Sequence, residues 1–470
     1  MLKRIEVRNF KSLKHVDFKC AGLNLLMGLN GAGKSSFVQL LRSLSKVADA
    51  DKANSIEVKV NVPGSFMDLR YCYGNEKAPI EVAVDYTPRF PPTDEDHICT
   101  LKRMFVPGNE KNEMIMAHPK SIAAEGKALK CMGEQYGNTL GINQARDMDP
   151  ALWMKQRNDI ERISNEVREE KKQLEESESE AFKTYGDLWR SMKFVSSFRE
   201  RPHDVYDGSR PREYRNLGAV PVSPDGRDLG EYLSKHARGD VVGSLDDMSP
   251  MLYPGSASIE QVKSEDRGHA VVHHIVKGNE LGRQLQLWLN EVSPGARIFT
   301  EKIEISDDEK YIMSVGFEAD KDCEHRFKPQ NVGFGISYVL PVLIVLLTAR
   351  AHDIVIIENP EAHLHPKGQA AMGNLIARAV ASGVQVFAET HSDHVVNGIR
   401  AAVKDGIVKP SDVNIAFFER KEHDVPDEDG SSHQEIYSEV RNIRVDKNGS
   451  LSEYPDGFLD EWNNQLMELI

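Results

Sequence analysis

The sequence predicts an α/β fold, a mixed sheet flanked by helices, with a helical or short coiled-coil insertion. Three observations carry that expectation. An apolar run, Leu23 to Met27, leads through a glycine-rich loop into a helical pattern with Phe37, Val38, Leu40 and Leu41. Later, Ile354–Ile357 is a continuous apolar run, as expected of a strand buried on both faces, and Val384–Ala388, with Gln385 within it, reads as a second buried strand. Between these halves, from about Leu152 to Met192, Glu, Lys and Arg dominate and glycine is absent over most of the stretch.

The loop after the first run, Gly28-Leu29-Asn30-Gly31-Ala32-Gly33-Lys34-Ser35, fits the phosphate-binding pattern G-x-x-x-x-G-K-[ST] and has the strand before it and the helix after it that the pattern needs. Glycines let successive backbone N–H groups turn inward around an anion. The helix offers its N-terminus to the same charge. Asn30, Gly31, Ala32, Gly33, Lys34, Ser35 and Ser36 are therefore the expected nucleotide cradle. Lys34 would reach the β- and γ-phosphates of ATP, and the Ser35 hydroxyl would ligate Mg²⁺.

At 470 residues the chain exceeds one simple core, and about two or three packed units are expected. A hydrophobic content of 40% suffices for globular folding, and a net charge of −14 argues against a surface coated with nucleic acid. Cys20, Cys72, Cys99, Cys131 and Cys323 are widely spaced without a CxxC, which fits a reducing cytoplasm better than disulfides or zinc. No apolar core follows Met1–Val7 as a signal peptide requires, and Val339–Ala349, broken by Pro341, is too short to span a bilayer. A cytoplasmic protein without a membrane partner is expected.

Residues 1–100 read as an N-terminal lobe of short strands around the phosphate loop. Ile5–Val7, Val16–Phe18, Ile56–Val60 and Ile80–Val84 alternate apolar and polar, as half-buried strands do. Residues 101–295 read as the insertion. Residues 100–150 have weak periodicity, whereas Ile160, Ile163, Val167 and Leu174 fall on one helical stripe. This stripe is either a short arm or a solvated helix. Arg199, Arg201, Arg210 and Arg212, with Tyr206 and Tyr214, form an arginine-rich stretch. It could contact phosphate or nucleic acid, but acids interrupt it, which favours local pairing. Residues 259–292 read as helix and 296–327 as strands. Residues 296–420 form a C-terminal lobe. Residues 421–470 form a tail with a hairpin over 434–451, turning at Asn448-Gly449, and a terminal helix.

The run at Ile354–Ile357 ends in Glu358-Asn359-Pro360-Glu361-Ala362-His363-Leu364-His365-Pro366. An apolar strand that delivers acids to its C-terminal edge suits a cation shell and a water-polarising carboxylate. The run at Val384–Ala388 ends in Glu389-Thr390-His391-Ser392-Asp393 and would bring His391 alongside, within reach of the γ-phosphate.

Together with the opening Ile5–Leu13, the phosphate loop and Asn331–Ser337, these segments resemble ABC-type ATPase heads of the SMC, RecF-like and OLD-like superfamily. More closely, they resemble the AAA15/AAA21 ATPases of prokaryotic anti-phage defence, such as PARIS- or Septu-like subunits. The resemblance covers both ends of the chain and only loosely its middle. It implies that Lys11 stands near the phosphates. It also implies that the segment from Gly333 through Gly335 to Ser337 is a signature loop before a helix, touching ATP on a second subunit. His391 would then be the switch histidine. Glu358 would hold Mg²⁺ with Ser35 and take part in catalysis.

Asn359 departs from the superfamily, which more often has a catalytic glutamate there; an amide is no general base. Glu361 is the expected replacement, failing which ATP chiefly sets conformation. No clear Q-loop glutamine follows residue 55, and the turn at 64–68 is the weak substitute.

The expected function is ATP-dependent assembly, at least a head-to-tail homodimer, that senses a phage protein and controls a separately encoded effector, a nuclease. Alternatives are a RecF- or SMC-like repair ATPase that binds DNA, and a nucleotide-locked scaffold with little turnover.

Overall fold

The structure, a computed structural model, describes residues 1–48, 57–61, 66–73, 78–87, 98–107, 113–117, 161–162, 164–173, 188–189, 192–199, 203, 205–207, 222–236, 281–305, 308–317, 326–332, 334–426 and 432–469. In chain order the strands are β1 (Leu2–Phe10), β2 (Leu13–Lys19), β3 (Leu23–Gly28), β4 (Glu57–Asn61), β5 (Ile80–Tyr86), β6 (Cys99–Pro107), β7 (Glu113–Ala117), β8 (Lys193–Val195), β9 (Val205–Asp207), β10 (Ala296–Ile305), β11 (Asp308–Phe317), β12 (Ile354–Glu358), β13 (Gln385–Glu389), β14 (Val413–Pro426) and β15 (Ser432–Ile443). The longer helices are α1 (Lys34–Ala48), α2 (Leu229–His236), α3 (Leu281–Val292), α4 (Phe334–Thr348), α5 (Pro366–Ala381), α6 (Asp393–Lys404) and α7 (Glu461–Glu468). A further helix covers 164–173.

The chain divides into two compact units. One comprises Met1–Lys3, Phe18–Val38 and Leu188–Ile470, and the other Arg4–Asp17 and Gln39–Asp187.

The first unit is built on a six-stranded sheet in the order β15-β14-β3-β13-β12-β8. The strands β14, β3, β13, β12 and β8 run parallel, with β8 at one edge, and β15 adds antiparallel to β14 at the other. The physical cause is plain in β12 and β13, whose apolar residues are all buried, as strands covered by helices on both faces must be. Helix α4 lies within the core, with every residue from Val339 to Leu347 buried, including the proline inside it, Pro341. A buried amide fastens the chain's start to this sheet: Leu2 N–H donates to Gln385 Oε1 at 2.8 Å, and Gln385 Nε2 donates to the Leu2 carbonyl at 2.8 Å. A smaller three-stranded sheet, β10-β11-β9, completes the unit.

The second unit carries the sheet β2-β1-β5-β6-β7-β4. Its alternation is the one expected from sequence: in β5, Ile80, Val82, Val84 and Tyr86 are buried and Glu81 is exposed. Residues of the indistinct 100–150 stretch supply β6 and β7, which pair antiparallel.

Other elements depart from expectation. The residues after 434 do not hairpin on themselves; β15 pairs backward with β14, from Ile415 opposite Ile443 to Pro426 opposite Ser432. Asn448-Gly449 turns only the isolated bridge Val445–Leu451. The cause is β14, which docks in parallel beside the phosphate-loop strand and leaves its other edge for β15. The expected helical stripe is described only at 164–173, where most residues, including Glu166 and Arg168, are exposed and Val167 is half-buried. Ile160, Ile163 and Leu174 lie outside the described residues, as do Gly333, Arg201, Arg210 and Arg212.

Candidate functional site

Strand β3 brings the phosphate loop to the sheet edge, and the loop closes onto α1. Gly28 takes a φ of 134°, and a Cβ there would stand 2.2 Å from the Phe418 carbonyl oxygen of β14, so only glycine lets β14 pair this closely. Beneath the loop, Phe37 packs against Phe18 with centroids 4.5 Å apart and against Phe418 at 5.9 Å, anchoring the first turn of α1. The buried Lys34 ammonium donates to the loop's own carbonyls, Gly28 at 2.8 Å and Leu29 at 2.9 Å, so it is aimed across the cradle. Burial lowers its pKa, and the charge of Glu389 opposes that shift.

Strands β13 and β12 place the acids beside this loop. β13 pairs with β3, Glu389 opposite Leu26, and Glu358 stands opposite Glu389 in the β12–β13 register. The Ser35 hydroxyl donates to Glu389 Oε1 at 2.9 Å. Burial raises the pKa of Glu389. The Ser35 hydrogen bond and the Lys34 charge lower it, and the nearby Glu358 and Glu361 raise it again. Glu358 is engaged elsewhere: its Oε2 accepts from the Ser197 N–H at 2.8 Å. Glu389 is thus a site residue that the motif reasoning passed over. Its signal was available, an acid at the end of a buried parallel strand immediately before Thr390 and His391.

The loop after β12 has a structural reason for Asn359. Its φ is 46°, left-handed, where asparagine is among the tolerated residues, and its N–H donates to the Glu389 carbonyl at 2.8 Å. Glu361 Oε1 accepts from the His391 backbone N–H at 3.0 Å, and its buried Oε2 has no hydrogen-bond partner among the described residues. The His391 imidazole is exposed, and its pKa is lowered by partial desolvation and then by Lys34. Ser392 caps α6, accepting from Val395 N–H at 3.1 Å, which fixes the turn that presents His391.

The segment from Gly333 to Ser337 was expected to precede its helix. Instead, α4 begins at Phe334, so Gly335 and Ser337 occupy its first turns. A Cβ on Gly335 would meet the His363 carbonyl oxygen at 2.7 Å, and the Tyr338 and His363 rings meet edge to face at 4.7 Å. The start of α4 therefore rests on the loop that follows β12. Ser337 Oγ is buried without a partner among the described residues.

Arg199, expected in an arginine-rich cluster, is buried rather than presented to a phosphate backbone. Its guanidinium donates to three backbone carbonyls, Tyr338 at 3.0 Å, Glu358 at 2.6 Å and Asn359 at 3.1 Å. Burial pushes its pKa down to about 10, against the charges of Glu361 and Glu358, so it stays cationic at neutral pH. Lys11 belongs to the other unit. It sits in the β1–β2 turn with a φ of 50°, its N–H donates to the Leu69 carbonyl at 2.8 Å, and burial lowers its pKa against the opposing charge of Asp68.

The C-terminal segment also reaches the site. Phe458 is buried against Phe417 with ring centroids 5.4 Å apart, and Gly457 lies beside the exposed Leu29 of the phosphate loop, a Cβ there standing 3.7 Å from a Leu29 methyl.

These residues fit ATP and Mg²⁺. Lys34 and the loop amides suit phosphates, Ser35 suits a hard cation, and acids line the neighbouring strand ends. No group of three or more His, Cys, Asp or Glu side chains able to hold a metal occurs among the described residues. A Mg²⁺ ion that keeps waters and takes phosphate oxygens needs only one or two carboxylates.

The sequence matches the AAA ATPase domain family over residues 1–211 and 263–396, and the chain belongs to that family: it is an ATPase with a mixed α/β fold. Residues 408–469 match a second family, described as a protein of unknown function, DUF3696. Among curated proteins none matches. Among solved structures, the chain is similar to an Smc head bound to the C-terminal winged-helix domain of ScpA, at 13% identity and TM-score 0.42, with 95% of this chain and 98% of that one covered. It is also similar to an Smc head with an extended coiled coil bound to the ScpA C-terminal domain, derived from Pyrococcus furiosus. That match has 13% identity and TM-score 0.40, covering 100% of this chain and 99% of that one. No helix among the described residues is long and apolar enough to cross a membrane.

Proposed function

We propose that this ATPase is a nucleotide-driven assembly switch. Its ATP state controls head-to-tail pairing with a second copy, and pairing governs a separately encoded effector, a nuclease, in the manner of anti-phage systems triggered by a phage protein. The observation that carries the reading is the hydrogen bond from His391 N–H to Glu361. It ties the segment that faces the γ-phosphate to the loop after β12, and that loop supports the signature end of α4 through Gly335, Tyr338 and His363. A change at the phosphate is transmitted along this contact to the surface that pairs.

Lys34 and the loop amides bind the phosphates. Ser35 and a carboxylate from the strand ends hold Mg²⁺, which when bound neutralises phosphate charge. Glu361, with one oxygen unpartnered among the described residues, polarises the attacking water in place of Asn359. With a single displaced carboxylate as base, hydrolysis is slow.

The mass of the purified chain in solution tests this, with and without a non-hydrolysable ATP analogue. A dimer or larger assembly formed with the analogue, and absent in Lys34→Ala, is expected. Pull-down from the native host should bring a nuclease with it. A chain that stays monomeric with the analogue, or that alone degrades DNA or RNA with Mg²⁺, overturns the proposal.

A further inference from the structure

We infer that the protein carboxylate of the Mg²⁺ site comes from β13, as Glu389, and not from the acid that ends β12. The inference rests on the ATP-site reading above and assigns one of its roles.

A P-loop serine and its acidic partner share a task. The hydroxyl donates its proton to the carboxylate, which turns an oxygen lone pair toward the cation, while the carboxylate holds the cation or its waters. In this chain the carboxylate that accepts from Ser35 is Glu389, at 2.9 Å. Glu358, one strand further from β3, has its Oε2 on the Ser197 N–H, and the carbonyl of the same residue is held by Arg199. The segment Ser197–Arg199 thus holds Glu358 by both side chain and backbone.

The sheet explains the exchange. β13 lies between β3 and β12, so its last residue is nearer the P-loop strand than the last residue of β12, and Glu358 and Glu389 share one register position. An acid on β13 therefore takes the place beside Ser35. Glu389 is buried with Lys34 as its nearby cation, and a divalent ion would compensate the remaining charge of Glu358 and Glu361.

The test uses the full chain, a non-hydrolysable ATP analogue and Mn²⁺ as the spectroscopic probe, titrated by electron paramagnetic resonance. Glu389→Gln keeps the shape and an acceptor for Ser35 and removes the charge. It should weaken Mn²⁺ binding to the protein–analogue complex roughly 10- to 100-fold, with the metal-free affinity for the analogue not reduced. Glu358→Gln should bind Mn²⁺ as the unsubstituted chain does. Glu389→Asp, which retains a shortened carboxylate, should fall between and carries the measurement if the glutamine variant does not fold. Mn²⁺ binding lost in Glu358→Gln and kept in the Glu389 variants overturns this inference alone. Failure of the unsubstituted chain to bind the analogue overturns the ATP-site reading and this inference together.

Discussion

The Arg199 guanidinium donates to the carbonyl of Glu358 at 2.6 Å, and its second arm reaches the Tyr338 carbonyl at 3.0 Å. One buried cation therefore joins the end of the acid-bearing strand to α4. Arg199→Ala would leave those carbonyls without that donor and is expected to destabilise the fold by about 2–4 kcal/mol, read as a shift in urea midpoint. Arg199→Lys should recover part of the stability. A single ammonium cannot replace the forked guanidinium, so its turnover should remain low.

Lys193 and Asp353 form an ion pair in which both side chains are buried, and Asp353 Oδ2 also accepts from the Arg350 N–H at 2.8 Å. Lys193→Met strands the carboxylate and should cost about 3–5 kcal/mol. Adding Asp353→Leu should recover part of that loss, which a double-mutant cycle in urea would measure.

His391 projects its side chain at the mouth of the site while its backbone holds Glu361. His391→Ala keeps the backbone bond. It should leave analogue affinity close to that of the unsubstituted chain and lower kcat about 100- to 1000-fold, the scale for losing one transition-state donor. Steady-state kinetics beside equilibrium binding separates the two effects.

Gly335→Ala would drive a methyl into the His363 carbonyl, 2.7 Å from the Cβ position. The expected cost is about 1–3 kcal/mol of overpacking, together with loss of analogue-driven assembly while analogue binding persists. Thermal melting and solution mass report the two.

The pKa of Glu389 is raised in the folded chain, chiefly by burial. Without cation, its contribution to stability is complete below the ordinary carboxylate value of 4.5 and is lost as pH rises through the folded value. Cation binding requires the ionised form, so Mn²⁺ affinity should start to fall, on acidification, at a pH above the ordinary carboxylate range. Titration at several pH values checks this, and Glu389→Gln should flatten the dependence.

Much of the architecture was legible because its signals are local. The glycine spacing of Gly28–Ser35, the alternation of β5, the unbroken apolar run of β12 and the apolar stretch of β13 after Gln385 are each written in a few adjacent residues. The backward pairing of β15 was not legible, because strand periodicity does not name a partner. Asn359 read as a missing base. The structure adds that its left-handed backbone suits asparagine.

By itself the sequence determined that a phosphate-binding loop, two acid-tipped buried strands and a histidine just beyond the second of them exist and are of ATPase type, since periodicity and motif spacing are properties of contiguous residues. Only the tertiary structure decided which acid meets Ser35, that Arg199 is buried beneath the site, and that the C-terminal segment lies beside Leu29. Those relationships depend on strand order and register between residues far apart in the chain. Such long-range pairing is set by the packing of the whole sheet, and no local pattern encodes it.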